Sequence, residues 1–244
     1  RYFNIGSFPP PSVPTLINPV DAGLISDNTP TFEWSSTAGT GGTYTLEYAT
    51  DQSFTENLVT HSDLTDTTFT PGTGLADDTW YWHVQAHNTG GSSGYQTTPF
   101  SFTIDTEAPD IPVLLTPSDG SWTNDLIPEF SWTSTGDSYT LEYSQDETFT
   151  SGVTTVEDLT GTSYTPGSDL SQGDWYWHVQ AFDEVGNASG YQTTPFSFTL
   201  DTEAPSAPND FTVIPGHEKC KLSWSNPSGI AGVEIRRNPW SVGA

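Results

Sequence analysis

The sequence predicts an all-β protein built of tandem β-sandwich units, and three observations carry that prediction. The heptapeptide Trp80-Tyr-Trp-His-Val-Gln-Ala86 recurs unchanged at Trp175–Ala181. Side chains alternate faces along a strand, so Trp80, Trp82, Val84 and Ala86 share a face that must be buried, while Tyr81, His83 and Gln85 share the other. Short β-rich runs follow one another between Gly, Pro, Asn and Asp turn clusters, and no stretch has a helical period. One Cys in 244 residues excludes a disulfide framework and leaves stability to packing or bound ions.

Residues 1–11, ending in Pro9-Pro10-Pro11, read as a lead-in of extended character. In a first unit, 12–108, strands are expected near Thr15–Ile17, Thr31–Ser35, Thr43–Ala49, Thr67–Thr70, Trp80–His87 and Pro99–Asp105. Period two assigns its core to Phe32 and Trp34, to Tyr44, Leu46 and Tyr48, and to Phe100, Phe102 and Ile104, with Phe54 and Phe69 beside them. A second unit, 109–204, repeats each item: Phe130 and Trp132; Tyr139, Leu141 and Tyr143; Phe149; Tyr164; Trp175, Trp177 and Val179; Phe196, Phe198 and Leu200. Matched residues lie 98 apart at Trp34/Trp132, 95 at Tyr44/Tyr139 and 96 at Asp105/Asp201, the small drift expected of loop insertions between strands held in step. A third unit, 205–244, is of another kind: Phe211 and Val213, then Cys220, Leu222 and Trp224, then Val233 and Ile235 alternate as three strands. That is too short for a sandwich of about 100 residues, so it reads as an incomplete unit.

Thirty-one Asp and Glu stand against five Lys and Arg, and no fixed positive charge lies between Tyr2 and Glu218. Such a surface repels phosphate backbones and anionic lipid, which argues against nucleic acid and membrane surfaces as partners. Divalent cations are its natural counter-ions, and freedom from tryptic sites suits an extracellular setting. No apolar run approaches the roughly 18 residues of a membrane helix. The sequence contains no Met, which points to a processed protein or a window of a longer one.

The Trp of the second strand, Tyr-x-Leu-x-Tyr on the third, Leu75 or Leu170 before an aromatic-x-Trp-x-Val-x-Ala strand, and the hairpin Asp183-Glu-Val-Gly-Asn187 together resemble fibronectin type III-like, immunoglobulin-like domains. More narrowly, the Pro112-x-Leu-Leu-x-Pro117 opening and the joints Asp105-Thr-Glu-Ala-Pro109 and Asp201-Thr-Glu-Ala-Pro205 resemble tandem units of bacterial extracellular and surface proteins. The third unit is similar to a more ordinary member through Leu222-Ser-Trp224 and Val233-Glu-Ile-Arg-Arg237. The resemblance implies sandwiches arranged end to end, a bacterial or archaeal cell-surface or extracellular location, and no catalysis. One departure stands out: Trp80 and Trp175 occupy the place of the corner tyrosine, so the corner is expected to be held by packing rather than by a hydroxyl hydrogen bond.

No nucleophile elbow, phosphate-binding Gly loop or zinc-protease helix is present, and the five histidines, His61, His83, His87, His178 and His217, form no ligand spacing on strands. Cys220 reads as a small buried residue. Two binding chemistries remain as expectations. In the resembled fold the last hairpin loop lies near the domain's first residue, which would bring Asp183, Glu184 and Asn187 toward Asp105 and Glu107, an oxygen-rich set suited to Ca²⁺; the expected cofactor is either none or this ion. The outward set Tyr81, His83 and Gln85, repeated as Tyr176, His178 and Gln180, offers aromatic faces and amides to a polysaccharide. Asn187-Ala-Ser189 is an acceptor sequon in an exposed loop. The expected function is a non-catalytic spacer or filament module whose partners are its neighbouring domains or copies of itself in a filament or surface layer. The alternative is a glycan-binding accessory module of a secreted enzyme or adhesin.

Overall fold

The computed structural model describes residues 8–207, 209–216 and 219–226. The first unit contains β1 (Leu16–Asn18), β2 (Gly23–Ile25), β3 (Phe32–Trp34), β4 (Thr43–Ala49), β5 (Val59–Leu64), β6 (Thr68–Phe69), β7 (Thr79–Asn88), β8 (Gly91–Ser92) and β9 (Phe100–Ile104). They form a small sheet, β1-β3-β6, facing a large one, β2-β9-β7-β4-β5, with β8 folded back on β7. The second unit contains β10 (Leu114–Thr116), β11 (Ser121–Thr123), β12 (Phe130–Trp132), β13 (Ser138–Ser144), β14 (Thr154–Leu159), β15 (Ser163–Tyr164), β16 (Gly173–Phe182) and β17 (Phe196–Leu200). Its sheets, β10-β12-β15 and β11-β17-β16-β13-β14, repeat the order of the first. The described secondary structure is β throughout, and among the described residues no helix is long and apolar enough to cross a membrane.

The core lies where period two puts it. Trp80, Trp82, Val84 and Ala86 of β7 pack against Phe32 and Trp34 of the small sheet, and Trp175, Trp177, Val179 and Ala181 of β16 do the same with Phe130 and Trp132. Phe32 stacks on Tyr48 at 5.1 Å and meets Trp82 edge-on at 5.3 Å; Phe130 repeats both contacts with Tyr143 and Trp177 at the same distances. Such offset and edge contacts let a core of large rings fill space without voids. The hydroxyl of Tyr44 accepts the backbone N–H groups of Thr37 and Ala38, which pins the β3–β4 loop over one end of the core. Tyr139 does the same for Thr135 and Gly136.

The corner differs from expectation. The indole N–H of Trp80 donates to the Ala76 carbonyl at 3.0 Å, and that of Trp175 to Ser171 at 2.9 Å. An indole nitrogen thus does the work of the hydroxyl, tying the strand back to the backbone four residues upstream.

Period two does not announce β5 and β14, which are mostly polar edge strands, nor β2 and β11, which run parallel to β9 and β17 for three residues each. Both edge strands carry a bulge: opposite Tyr44–Leu46 the register slips between Leu64 and His61, and Asp63 takes φ 59°. Asp158 has φ 56° at the same place in β14. An extra residue with an outward charge twists an edge away from lateral strand pairing.

Beyond the second unit, β18 (Asn209–Gly216) pairs antiparallel with β19 (Lys219–Ser225). Phe211 and Val213 lie on the strand expected there, and both side chains stand exposed. The third expected strand, at Val233 and Ile235, lies outside the described residues, as do His217 and the Cys220 side chain.

Candidate functional site

Two places gather the residues singled out from the sequence: the outer face of the large sheet, and the joint between the units.

On the outer face, His83 of β7 lies directly opposite Glu47 of β4, and its Nε2 is 2.8 Å from the Glu47 carboxylate. An ionised carboxylate only accepts, so Nε2 carries the hydrogen. Thr60 of the edge strand donates to the other oxygen of the same carboxylate. The imidazole is sandwiched between Phe54 at 3.7 Å and Tyr95 at 3.8 Å, both rings stacked on its faces. The second unit repeats the arrangement: His178 meets Glu142 at 2.9 Å, Phe149 at 3.9 Å and Tyr191 at 4.0 Å, and Thr155 completes the chain of bonds. The His83 side chain is only 11% exposed.

Burial lowers the pKa of both histidines, opposed by the neighbouring Glu47 and Glu142 carboxylates, so each is held neutral. Burial, with the same carboxylate next to it, pushes the Tyr95 hydroxyl up to about 12; Tyr191 is also raised to about 12.

The sandwiching rings are delivered by loops with a definable sequence. The Asp51 carboxylate accepts N–H groups from Ser53, Thr55 and Glu56 and the Thr55 hydroxyl, closing the β4–β5 turn around Phe54, which sits at φ 57°. Asp146 holds Thr148, Thr150 and Ser151 in the same way around Phe149, and these hydrogen bonds depress its pKa. Gln96 caps the other side, accepting from Val84 N–H and donating to the Pro14 carbonyl, as Gln192 does between Val179 and Pro112.

The set expected to face a polysaccharide is therefore largely consumed within its own unit. His83 is buried and His178 half-buried, each between two rings; Gln85 and Gln180 donate to the Ser93 and Ser189 carbonyls, and Tyr81 and Tyr176 are half-buried. The sequence reading missed Glu47 and Glu142, although each lies one strand over from its histidine in a repeated Thr-Leu-Glu-Tyr run; it set Phe54 and Phe149 beside the core, whereas they stack on the outer-face histidines, and it gave Gln96 and Gln192 no role.

At the joint, Asp105, Glu107, Asp183 and Asn187 do come together, but through N–H groups. The Asn187 side-chain amide faces three oxygens, the Asp105 carbonyl at 2.9 Å, the Glu107 carbonyl at 3.5 Å and the Asp183 carboxylate at 2.8 Å. All three are acceptors, which fixes the nitrogen toward them. Asp183 also accepts the Val185 and Asn187 N–H groups, and Asp105 accepts that of Glu107. Burial raises the Asp183 pKa, but the bonds from Asn187, Val185 and Gly186 outweigh it and hold the carboxyl below its usual range. Glu184 is exposed. The oxygens a Ca²⁺ ion would need are thus occupied by internal donors, and among the described residues no three His, Cys, Asp or Glu converge on one point. The donor set does not fit the ion.

The sequon is also misplaced for a glycan. Asn187 is half-buried with its amide engaged, and Ser189 is buried with its hydroxyl bonded to Gly190 and to Ala181 N–H.

The unit's own exit is gripped as well. Thr106 binds the Asp77 carboxylate through N–H and hydroxyl, and Asp105 N–H donates to Ile25. The five-residue joint is therefore held by the unit before it and the unit after it.

The family model described as a bacterial Ig-like domain matches residues 116–202. The chain is similar to solved structures of fibronectin(III)-like modules of Clostridium thermocellum CbhA, at 14% identity over 80% of this chain and 98% of that one with TM-score 0.47. It is also similar to the FN1-FN3 domains of chicken CNTN1, at 13% identity over 79% of this chain and 68% of that one with TM-score 0.42. No curated protein matches the sequence. The bacterial Ig-like match falls on the second unit, and the first repeats its strands, sheet order and most of its core, so the chain holds two β-sandwich units in tandem.

Proposed function

We propose that the chain is a non-catalytic spacer module of a bacterial secreted or cell-surface protein, in which units 12–108 and 109–204 set the distance and orientation of whatever they connect. The observation that carries this reading is the joint bonded from both sides, Asp77 to Thr106 behind and Asn187 to Asp105 and Glu107 ahead. A linker left to itself would be a flexible tether; each bond removes a degree of freedom and converts two beads into a directed pair. The outer-face histidines and glutamines bind within their own unit, which further favours a spacer over a glycan reader. The bulged edges favour end-to-end over lateral assembly.

Binding to polysaccharide is the competing function, and it has a direct test. Retention of the full chain on a panel of insoluble plant and bacterial polysaccharides should be negligible and unchanged by the double substitution Tyr81→Ala/Tyr176→Ala. Retention that the double substitution abolishes would replace the spacer with a glycan-binding module.

A further inference from the structure

The lead-in to the first unit is held as a joint is held. Pro9 and Glu107 are 98 residues apart, the same offset that relates Leu16 to Leu114 and Trp34 to Trp132, so they occupy equivalent places ahead of their sandwiches. The hairpin loop after the long strand reaches both: Asn187 donates to the Glu107 carbonyl at 3.5 Å, and Asn88 donates to the Pro9 carbonyl at 3.2 Å. The two amides come from opposite ends of their loops, yet serve the same carbonyl. In the first unit the fit is closer still. A Cβ on Gly90 would overlap the Phe8 carbonyl oxygen and stand 2.6 Å from that of Pro9, so the backbone of the lead-in lies where only glycine admits it.

The residue before these carbonyls completes the comparison. Thr106 is covered by the preceding unit through Asp77, and Thr202, its counterpart at the next exit, accepts from Gln172. Phe8 holds the same place in the lead-in, is 68% exposed, and overhangs a depression lined by Ala38, Gly39, Thr40, Gly41, Asn88 and Thr89. A large apolar side chain sits where, in the observed joint, a preceding sandwich makes its contact.

We propose that residues 8–11 are an inter-unit linker and that the end of the first unit formed by residues 38–41 and 88–91 is the seat of a preceding β-sandwich of the same kind, oriented as the first unit is on the second. The proposal rests on the spacer reading, and the experiment separates the two. The full chain is prepared with residues 1–7 replaced by a copy of residues 12–105, which keeps the register, and residual dipolar couplings are recorded for all units.

If the seat is real, the added unit and the first unit share one alignment tensor, and Gly90→Ala abolishes that sharing because its Cβ expels the linker. Separate tensors without the substitution overturn the proposal, as does a shared tensor that survives Gly90→Ala. The joint between the first and second units reports independently in the same sample: separate tensors there would overturn the spacer reading itself.

Discussion

At the scale of single residues, the histidines explain why the outer face of each unit is closed. A neutral imidazole stacked between Phe54 and Tyr95, with its one N–H given to Glu47, fills its position without leaving a polar atom of the carboxylate pair unserved. Burial lowers the pKa of His83 and His178 below the ordinary 6.5, so above that pH the folded state is fully favoured. As pH falls below 6.5 the unfolded chain takes up a proton that the folded one resists, and stability is lost until the folded pKa is passed. His178→Gln keeps a planar N–H donor for Glu142 and does not titrate in this range. Urea unfolding of the full chain should therefore lose more stability between pH 7 and pH 5 than unfolding of His178→Gln; equal losses would mean that the imidazole is not held neutral. The sequence displayed His83 only as an outward residue of a strand. That Glu47 and two loop aromatics would close over it depends on strand pairing between β4 and β7 and on loops that bring Phe54 and Tyr95 from elsewhere in the chain, which period two does not encode.

At the scale of elements, the strands that carry the core were legible because burial imposes a strict alternation on them, and Thr43–Ala49 agrees with expectation at both ends. Edge strands β5 and β14 were not, because only one face is partly covered and their residues are mostly polar. Their bulges have a chemical signature that is visible once the pairing is known: an Asp at positive φ in each, Asp63 and Asp158. A residue in this conformation has its Cβ against the following carbonyl, a strain glycine escapes and a β-branched side chain aggravates. Asp158→Gly should leave the urea midpoint of the second unit unchanged or raise it, whereas Asp158→Val should lower stability by about 1–2 kcal/mol. A tolerated valine would show that the edge is regular in solution, and lateral assembly through it would return as a possibility. The corner tryptophans belong to the same scale: their place was legible, but the hydrogen bonds to Ala76 and Ser171 depend on the turn geometry before β7 and β16.

At the scale of the molecule, the repeat made the tandem architecture legible, and the resembled fold set Asp183, Glu184 and Asn187 near Asp105 and Glu107; in the folded joint the contacts among them run through the Asn187 amide. What the sequence did not reveal was the sign of the chemistry there. Composition pointed to oxygen ligands awaiting a cation, while the folded joint supplies its own donors, chiefly the Asn187 amide. On the spacer reading, this amide and the Asp77–Thr106 bonds fix one unit on the next. Asn187→Asp tests it with an isosteric change that points a carboxylate at three oxygens. In residual dipolar couplings of the full chain, one alignment tensor should describe residues 12–108 and 109–204 together, and the Asn187→Asp variant should need two. Two tensors in the unsubstituted chain, or one tensor that persists in the variant, would contradict the account.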